Sequence, residues 1–354
     1  MSISPELLSS LSTIEEPATG RALGELGASF TLQSGVLTAY LGCFNRDWQG
    51  PLTEQIQQAG NLLGIAIDRV EIESSAPKYV ESESNGLANV SAIIAVASGK
   101  GGVGKSATAA NLALALAFDG ARVGLVDADI YGPSVPIMLG AEGKTPASDD
   151  GKKMNPVQAH GIYCNSLGFI IDSDKAAVWR GPMASGALQQ LLNDTIWPEL
   201  DYLVVDMPPG TGDIQLTLAQ KVPVSTALVV TTPQNLALSD ARRGVDMFNQ
   251  VSIPVCGVVE NMSYYTCDAC GHQNAIFGES GGDALAAETG VPVLGRLPLD
   301  PNIRADADAG NPTVIKSPDS DVANRYIAIA RKVSAFLWSR FQASQSAVPI
   351  IEIE

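Results

Sequence analysis

The sequence predicts an α/β architecture, a doubly wound and mainly parallel sheet preceded by a small α+β domain. Three observations predict it. Short apolar runs rich in β-branched residues recur between helix-like stretches after residue 91, a glycine-rich loop follows the first of those runs, and the pattern before residue 72 is of another kind. The 354 residues suffice for about two domains, and 45% hydrophobic against 17% charged residues excludes a disordered or collagen-like chain. With 22 Lys+Arg against 38 Asp+Glu, the formal net charge of −16 argues against general binding to nucleic acid or to an anionic membrane surface.

In chain order, Leu7, Leu8 and Leu11 have helical spacing. Ser29–Gln33 and Val36–Leu41 alternate around a Ser34-Gly35 turn, Pro51 to Leu63 reads as a second helix, and Ile65 to Ile72 reads as a closing strand. Residues 1–72 are therefore expected to form one small unit. Residues 73–90, polar and acidic, suit a linker. Five buried parallel strands are expected at Ile93–Ala97, Val123–Asp127, Tyr202–Asp206, Ala227–Thr231 and Val255–Val259. Helices are expected at Ser106–Phe118 and Leu236–Phe248, and the more polar stretch 141–182 reads as an insertion or hairpin. A large domain over 91–340 and a tail over 341–354 complete the division.

Neither a basic–apolar leader at the start nor an apolar run of about 18 residues is visible, the run Leu112–Phe118 being typical. Five cysteines are too few for a disulfide framework in a chain of this length. The expectation is a cytoplasmic protein with free thiols. Cys43, Cys164 and Cys256 lie in apolar surroundings and read as core residues.

Gly99-Lys100-Gly101-Gly102-Val103-Gly104-Lys105-Ser106 follows the first predicted strand and matches G-x-x-x-x-G-K-S. Such a backbone can wrap a polyphosphate with its N–H groups turned inward, where side chains would obstruct. Lys105 then supplies charge to the outer phosphates, Ser106 a hydroxyl for Mg²⁺, and the following helix its positive end. Lys100 is a second lysine inside the loop, and on the residues alone it is equally a solvated loop side chain. Asp127 and Asp129 end one predicted strand and Asp206 another, at the carboxyl edge where open α/β sheets bind ligands. Strand-end aspartates also cap turns. Met207-Pro-Pro-Gly210-Thr-Gly-Asp213 continues from Asp206 and is in any case a good turn.

Cys267-Asp-Ala-Cys270-Gly271-His272 puts two thiolates within reach of one soft metal. Four readings stand side by side: a zinc site that lacks a second C-x-x-C, a redox dithiol outside its usual helix-start setting, a pair of inert thiols, and half of a four-thiolate [4Fe–4S] site completed by a second chain.

The string GKGGVGKS resembles the deviant Walker A motif of the P-loop NTPases that include nitrogenase iron protein and the MinD and ParA ATPases. Together with Asp127-Ala-Asp-Ile-Tyr-Gly-Pro-Ser134, Val178-Trp-Arg-Gly-Pro-Met183, Asp206–Asp213 and Val259-Glu-Asn-Met-Ser263 ahead of the cysteine pair, it makes residues 91–335 similar to the Mrp/ApbC family of iron–sulfur cluster carrier ATPases. That resemblance implies a homodimer in which Lys100 reaches the nucleotide of the facing subunit. It implies Asp129 as the residue that orients or deprotonates the attacking water, and Asp127 and Asp206 as Mg²⁺-side carboxylates. Gly210 becomes a γ-phosphate sensor in a switch segment, and Asn261 a hydrogen-bond partner of adenine. It also implies a labile [4Fe–4S] cluster shared by Cys267 and Cys270 of two chains, a scaffold or donor protein, and apo iron–sulfur proteins as recipients.

Residues 1–72 are similar to the small iron–sulfur assembly domain often fused in front. That domain usually carries a T-x-x-C-P-type turn, where this sequence has Cys43-Phe-Asn-Arg-Asp-Trp-Gln-Gly-Pro51. A MinD/ParA-type positioning ATPase with structural zinc or idle thiols is the alternative. Its basic amphipathic C-terminal helix would have to be Val322–Phe341, with Arg325, Arg331, Lys332 and Arg340, but the acidic, apolar stretch Val348–Glu354 follows and a core-packing helix is expected there instead.

Overall fold

The computed structural model describes residues 3–81, 86–148, 151–170 and 181–346. Val178–Arg180 of the family-like strings and residues 347–354 of the expected tail lie outside the described residues. The chain divides into two compact units, one holding residues up to Pro77, Phe118–Ala121 and the chain from Arg331 onward, the other holding Lys78–Ala117 and Arg122–Ala330.

The small unit opens with α1 (Pro5–Ser12), whose first turn is capped by the Ser4 hydroxyl accepting from the Leu7 N–H at 3.2 Å. A two-residue pairing of β1 (Glu15–Glu16) with β2 (Arg21–Ala22) follows. Then β3 (Ser29–Gln33) and β4 (Val36–Leu41) form an antiparallel hairpin whose turn residues Ser34 and Gly35 both have positive φ, the twist-matched hairpin geometry. Helix α2 (Gln49–Leu62) crosses over to β5 (Arg69–Ser74), which pairs parallel to β4.

The closing strand starts later than the expected Ile65. Ile65 returns its N–H to the Gly60 carbonyl at 2.9 Å, and Ile67 packs over Gly60, so these apolar side chains serve the helix and pairing begins at Arg69.

The core of this unit gathers Leu7, Leu11, Phe30, Leu37, Leu52 and Ile56 around Trp338, a residue of the last helix. Arg331 of the same helix binds Asp119 at 2.7 Å and Asp47 at 2.7 Å. For that reason the chain from Arg331 groups with the small unit, ahead of the division expected at 340. Trp338→Ala is expected to destabilise the protein by about 3–5 kcal/mol, the usual loss for a buried tryptophan, measured as a shift in the denaturant midpoint.

The larger unit is built on β6 (Val90–Ala97), α3 (Lys105–Phe118, of which Phe118 counts with the small unit), β7 (Val123–Asp127), α4 (Val135–Met138), β8 (Val157–Ala159), β9 (Ile162–Ser166), α5 (Gly181–Asn193), β10 (Leu200–Asp206), α6 (Asp213–Lys221), β11 (Thr226–Thr231) and α7 (Asn235–Gln250). It continues through β12 (Val255–Thr266), β13 (Gln273–Asn274), α8 (Gly281–Thr289), β14 (Val293–Pro298), α9 (Pro301–Asp308), α10 (Thr313–Lys316) and the first half of α11 (Asp321–Ser346).

All five expected strands are present, in a sheet of nine strands among the described residues, ordered β13-β12-β11-β6-β10-β7-β9-β8, with β14 also pairing with β12. The ladders are parallel except at β8–β9 and β12–β13. Strands β7, β10 and β11 are buried at every position, the signature of a parallel sheet covered on both faces. The stretch read as an insertion or hairpin supplies β8 and β9, and β9 extends the sheet beside β7. The C-terminal helix carries buried residues in both of its parts, Tyr326, Ile329 and Ala330 in the part that counts with this unit and Val333, Leu337 and Trp338 in the part that counts with the small one.

Candidate functional site

Strand β6 leads straight into the glycine-rich loop and α3 leaves it, so the loop sits at the carboxyl edge of the central strand. Gly102 and Gly104 hold φ of +82° and +83°, which only glycine adopts freely, and the space beside Gly101 and Gly102 is open. Helix α3 starts at Lys105, directly after the loop, so its N-terminal N–H groups and dipole are of the kind that suits a phosphate. Gly99 is packed against the backbone of Asp240 and has no room for a side chain.

Val103 is buried, and its carbonyl accepts a 2.8 Å hydrogen bond from Asn261 Nδ2. Thus Asn261 sits behind the phosphate loop with its amide nitrogen engaged there. A side chain on Gly104 would collide with that amide.

Lys105 is 6% exposed, its Nζ 2.5 Å from Asp206 Oδ1, 3.8 Å from Asp129 Oδ2 and 3.2 Å from Ser106 Oγ. Lys100 is half-buried, and its ammonium makes no hydrogen bond or ion pair among the described residues.

The register of β10 with β7 sets Asp206 directly beside Asp127. Asp127 is nearly inaccessible, and its carboxylate accepts from the N–H of Asp129 at 3.1 Å, of Ser134 at 2.9 Å and of Val135 at 3.1 Å, and from Ser166 Oγ at 3.1 Å. Desolvation, followed by the charge of Asp206, pushes its carboxyl up to about 7. Burial also raises Asp206, against the pull of Lys105, and raises Asp129, whose carboxylate accepts from the backbone of Tyr131 and Gly132.

Three carboxylates therefore surround one ammonium, and Asp206 Oδ2 is buried with no hydrogen-bond partner. A divalent cation fits that surplus. Asp206, with its free oxygen, and the neighbouring Ser106 hydroxyl and Asp127 are the groups that could hold one.

After Asp206 the chain turns through Pro208-Pro209-Gly210. The Gly210 N–H donates to the Ser98 carbonyl at 2.9 Å, and the Ser98 hydroxyl donates to the Lys100 carbonyl at 2.9 Å. Gln215 Nε2 donates to the Pro208 carbonyl. Ser98, Ser166 and Gln215 escape a sequence reading because lone polar residues carry no spacing signal; Ser98 adjoins the phosphate motif, which is the one available hint.

The cysteine pair forms the tip of the β12–β13 hairpin, closed by Tyr265 opposite Asn274 and Thr266 opposite Gln273. Cys267 donates its N–H to the His272 carbonyl at 2.9 Å and accepts the Gly271 N–H at 2.8 Å. Its sulfur receives the backbone N–H groups of Ala269 and Cys270, which hold the Cys267 thiol below its usual range and favour thiolate. Cys270 is exposed and Cys267 half-exposed. Among the described residues no third His, Cys, Asp or Glu joins them as a metal-holding group. Cys43, Cys164 and Cys256 are buried, and burial pushes the last two thiols up to about 12, as inert core residues should behave.

A phosphate loop at the centre of a parallel sheet, a buried loop lysine and a strand-end carboxylate beside it define a nucleotide-binding P-loop protein. The chain belongs to the ParA family of NUBPL iron-transfer P-loop NTPases, whose family model matches residues 89–334. It is 58% identical to the iron–sulfur cluster carrier protein of Pseudomonas fragi over 272 residues, 76% of this chain and 95% of that one. It is 44% identical to the iron–sulfur cluster carrier protein of Deinococcus radiodurans over 331 residues, 93% of this chain and 94% of that one. Among solved structures it resembles a nucleotide-binding protein of Archaeoglobus fulgidus in complex with ADP, at 35% identity and TM-score 0.58, over 66% of this chain and 91% of that one. No described helix is long and apolar enough to cross a membrane.

Proposed function

We propose that the chain is an ATP-hydrolysing iron–sulfur cluster carrier, working as a homodimer that holds a labile [4Fe–4S] cluster between Cys267 and Cys270 of its two copies and hands it to apo-proteins. The observation that carries this reading is the thiol turn: an exposed and a half-exposed cysteine on one hairpin tip, the latter held toward thiolate by backbone N–H groups. The carrier names of the relatives support it. A cluster with four thiolate ligands takes two such pairs, and cargo at an exposed tip can be exchanged with a donor or a recipient.

At the nucleotide site, Lys105 and the N–H groups of the loop and of α3 bind the phosphates, while Lys100, half-buried and with an ammonium that makes no hydrogen bond or ion pair among the described residues, reaches the triphosphate of the facing copy. Bound Mg²⁺ would neutralise charge on the β- and γ-phosphates. Asp129 orients a water toward the γ-phosphorus and takes its proton as the bond to the bridging oxygen breaks, releasing ADP and phosphate. The Gly210 N–H, bonded to the Ser98 carbonyl at 2.9 Å, is the switch-segment donor that turns to the γ-phosphate when triphosphate binds. Asn261 keeps its carbonyl oxygen available for the exocyclic amine of adenine while its nitrogen stays on Val103.

Anaerobic reconstitution with iron and sulfide tests the reading. Wild-type protein is expected to turn brown and bind about four iron atoms per two chains, and the Cys267→Ala, Cys270→Ala double variant to stay near zero. Normal cluster binding and transfer by the double variant would end the carrier reading. Colourless protein that takes up only zinc would favour a structural metal clip.

A further inference from the structure

Strand β12 serves both the nucleotide site and the thiol pair, and it does so through a kink. Asn261 donates to Val103 in the middle of the phosphate loop at 2.8 Å, and its amide lies so close to Gly104 that a side chain there would collide with it, so the loop and Asn261 are in direct contact. The next residue, Met262, has a φ of +55°, a left-handed conformation that a long side chain rarely adopts. The pairing of β12 with β14 breaks register at the same place, between Glu260 and Tyr264.

Both flanks are anchored. The buried Glu260 carboxylate accepts from Ser263 Oγ at 2.5 Å and from the Gly282 N–H at the start of α8, with Arg296 Nε 3.5 Å away. Beyond the kink, the Tyr264 carbonyl accepts the Leu299 N–H at 2.7 Å, and the Arg325 guanidinium lies 5.4 Å from the Tyr264 ring centroid. From Asn261 the strand continues through Met262 to Thr266, and Cys267 follows directly.

We propose that Asn261 and Met262 are positioning residues that couple occupancy of the phosphate loop to the geometry of the Cys267–Cys270 hairpin. The hydrogen bond to Val103 transmits a change in the loop to β12, and the fixed left-handed turn at Met262 redirects it along the second segment of the strand to the sulfurs. A strained conformation kept in a bulky residue, between two anchored segments and beside a ligand loop, is the type of outlier that marks a functional constraint. The inference rests on the proposed role of the thiol pair, but its test needs no iron.

The experiment is alkylation of Cys267 and Cys270 in the reduced full-length protein, with and without saturating Mg–ATP or Mg–ADP. The three core cysteines are buried and serve as an internal control for intact folding. In wild type, Mg–ATP is expected to change the alkylation rate by about fivefold or more, the scale of ordinary site-to-site coupling. Met262→Gly, which frees the turn, should bring that ratio to within about twofold of one while ATP affinity stays within about twofold of wild type. Met262→Asn, which accepts left-handed φ, should retain the ratio. Asn261→Ala, measured at saturating nucleotide, should lose it. A wild-type ratio of one, or a Met262→Gly protein as responsive as wild type, would overturn the proposal. Either result leaves the carrier reading to the reconstitution test.

Discussion

Lys105→Ala is expected to abolish nucleotide binding and also to destabilise the empty protein by about 3–5 kcal/mol, as removing one partner of a buried ion pair does. The reason is local. The ammonium faces Asp206 at 2.5 Å and Asp129 at 3.8 Å, with Asp127 beside Asp206 across the sheet, and without it three carboxylates share one site with no cation.

The defect should depend on pH. Asp127 sits at about 7 in the folded protein against about 4 in an unfolded chain, so between those values the native state holds more protons than the unfolded state. Stability therefore falls as pH rises through that window. Loss of the lysine, whose charge lowers Asp127, widens the window upward. Thermal melts of the variant and wild type from pH 5 to pH 8.5 should show a gap in Tm that grows with pH. A gap that is constant, or that shrinks toward pH 8.5, would contradict this account of the carboxylate group.

Asp129→Asn is expected to lower ATP turnover by about 10²- to 10⁴-fold, the usual contribution of a positioned general base, with ATP affinity nearly unchanged. The amide oxygen can still accept the Tyr131 and Gly132 N–H groups that shape this turn, so the backbone stays in place and only the proton acceptor is lost. Nucleotide binding by calorimetry and phosphate release by a coupled assay separate the two effects. A turnover within threefold of wild type would move the base to another residue. Asp127 is a poor substitute, since its two oxygens already take four donors that hold the segment from Asp129 to Val135 and β9 in place.

The phosphate-loop edge of the sheet is legible in the sequence because its determinants are local. A fully buried parallel strand must be continuously apolar, a phosphate loop must be glycine-rich, and a strand-end carboxylate stands out against the run that precedes it. What stays hidden depends on partners distant in sequence. Strand β14, Val293–Pro298, carries Gly295 and Arg296 within a short run and declares itself only once β12 is beside it. Strand β9 ends in Asn165 and Ser166, polar side chains that make sense only as a bond to Thr195 and a donor to Asp127.

Asn261 shows the same limit from the other side. The residue is conspicuous at a strand end, yet nothing nearby in sequence indicates that its nitrogen is taken by Val103. Similarly, four arginines and lysines in the last helix look like an amphipathic surface. Only the fold reveals that Arg331 is claimed by Asp47 and Asp119, and that Trp338 fills the core of the first domain.

That last feature bears on how the polypeptide matures. The N-terminal unit is synthesised first, but its core lacks an indole and its Asp47–Asp119 acid pair lacks a guanidinium until residues 331–338 have left the ribosome. Domains emerging early usually fold early. Here the small unit is completed only once residues 331–338 have been made, so a chain truncated before Arg331 would leave its core without the indole and Asp47 and Asp119 without their guanidinium.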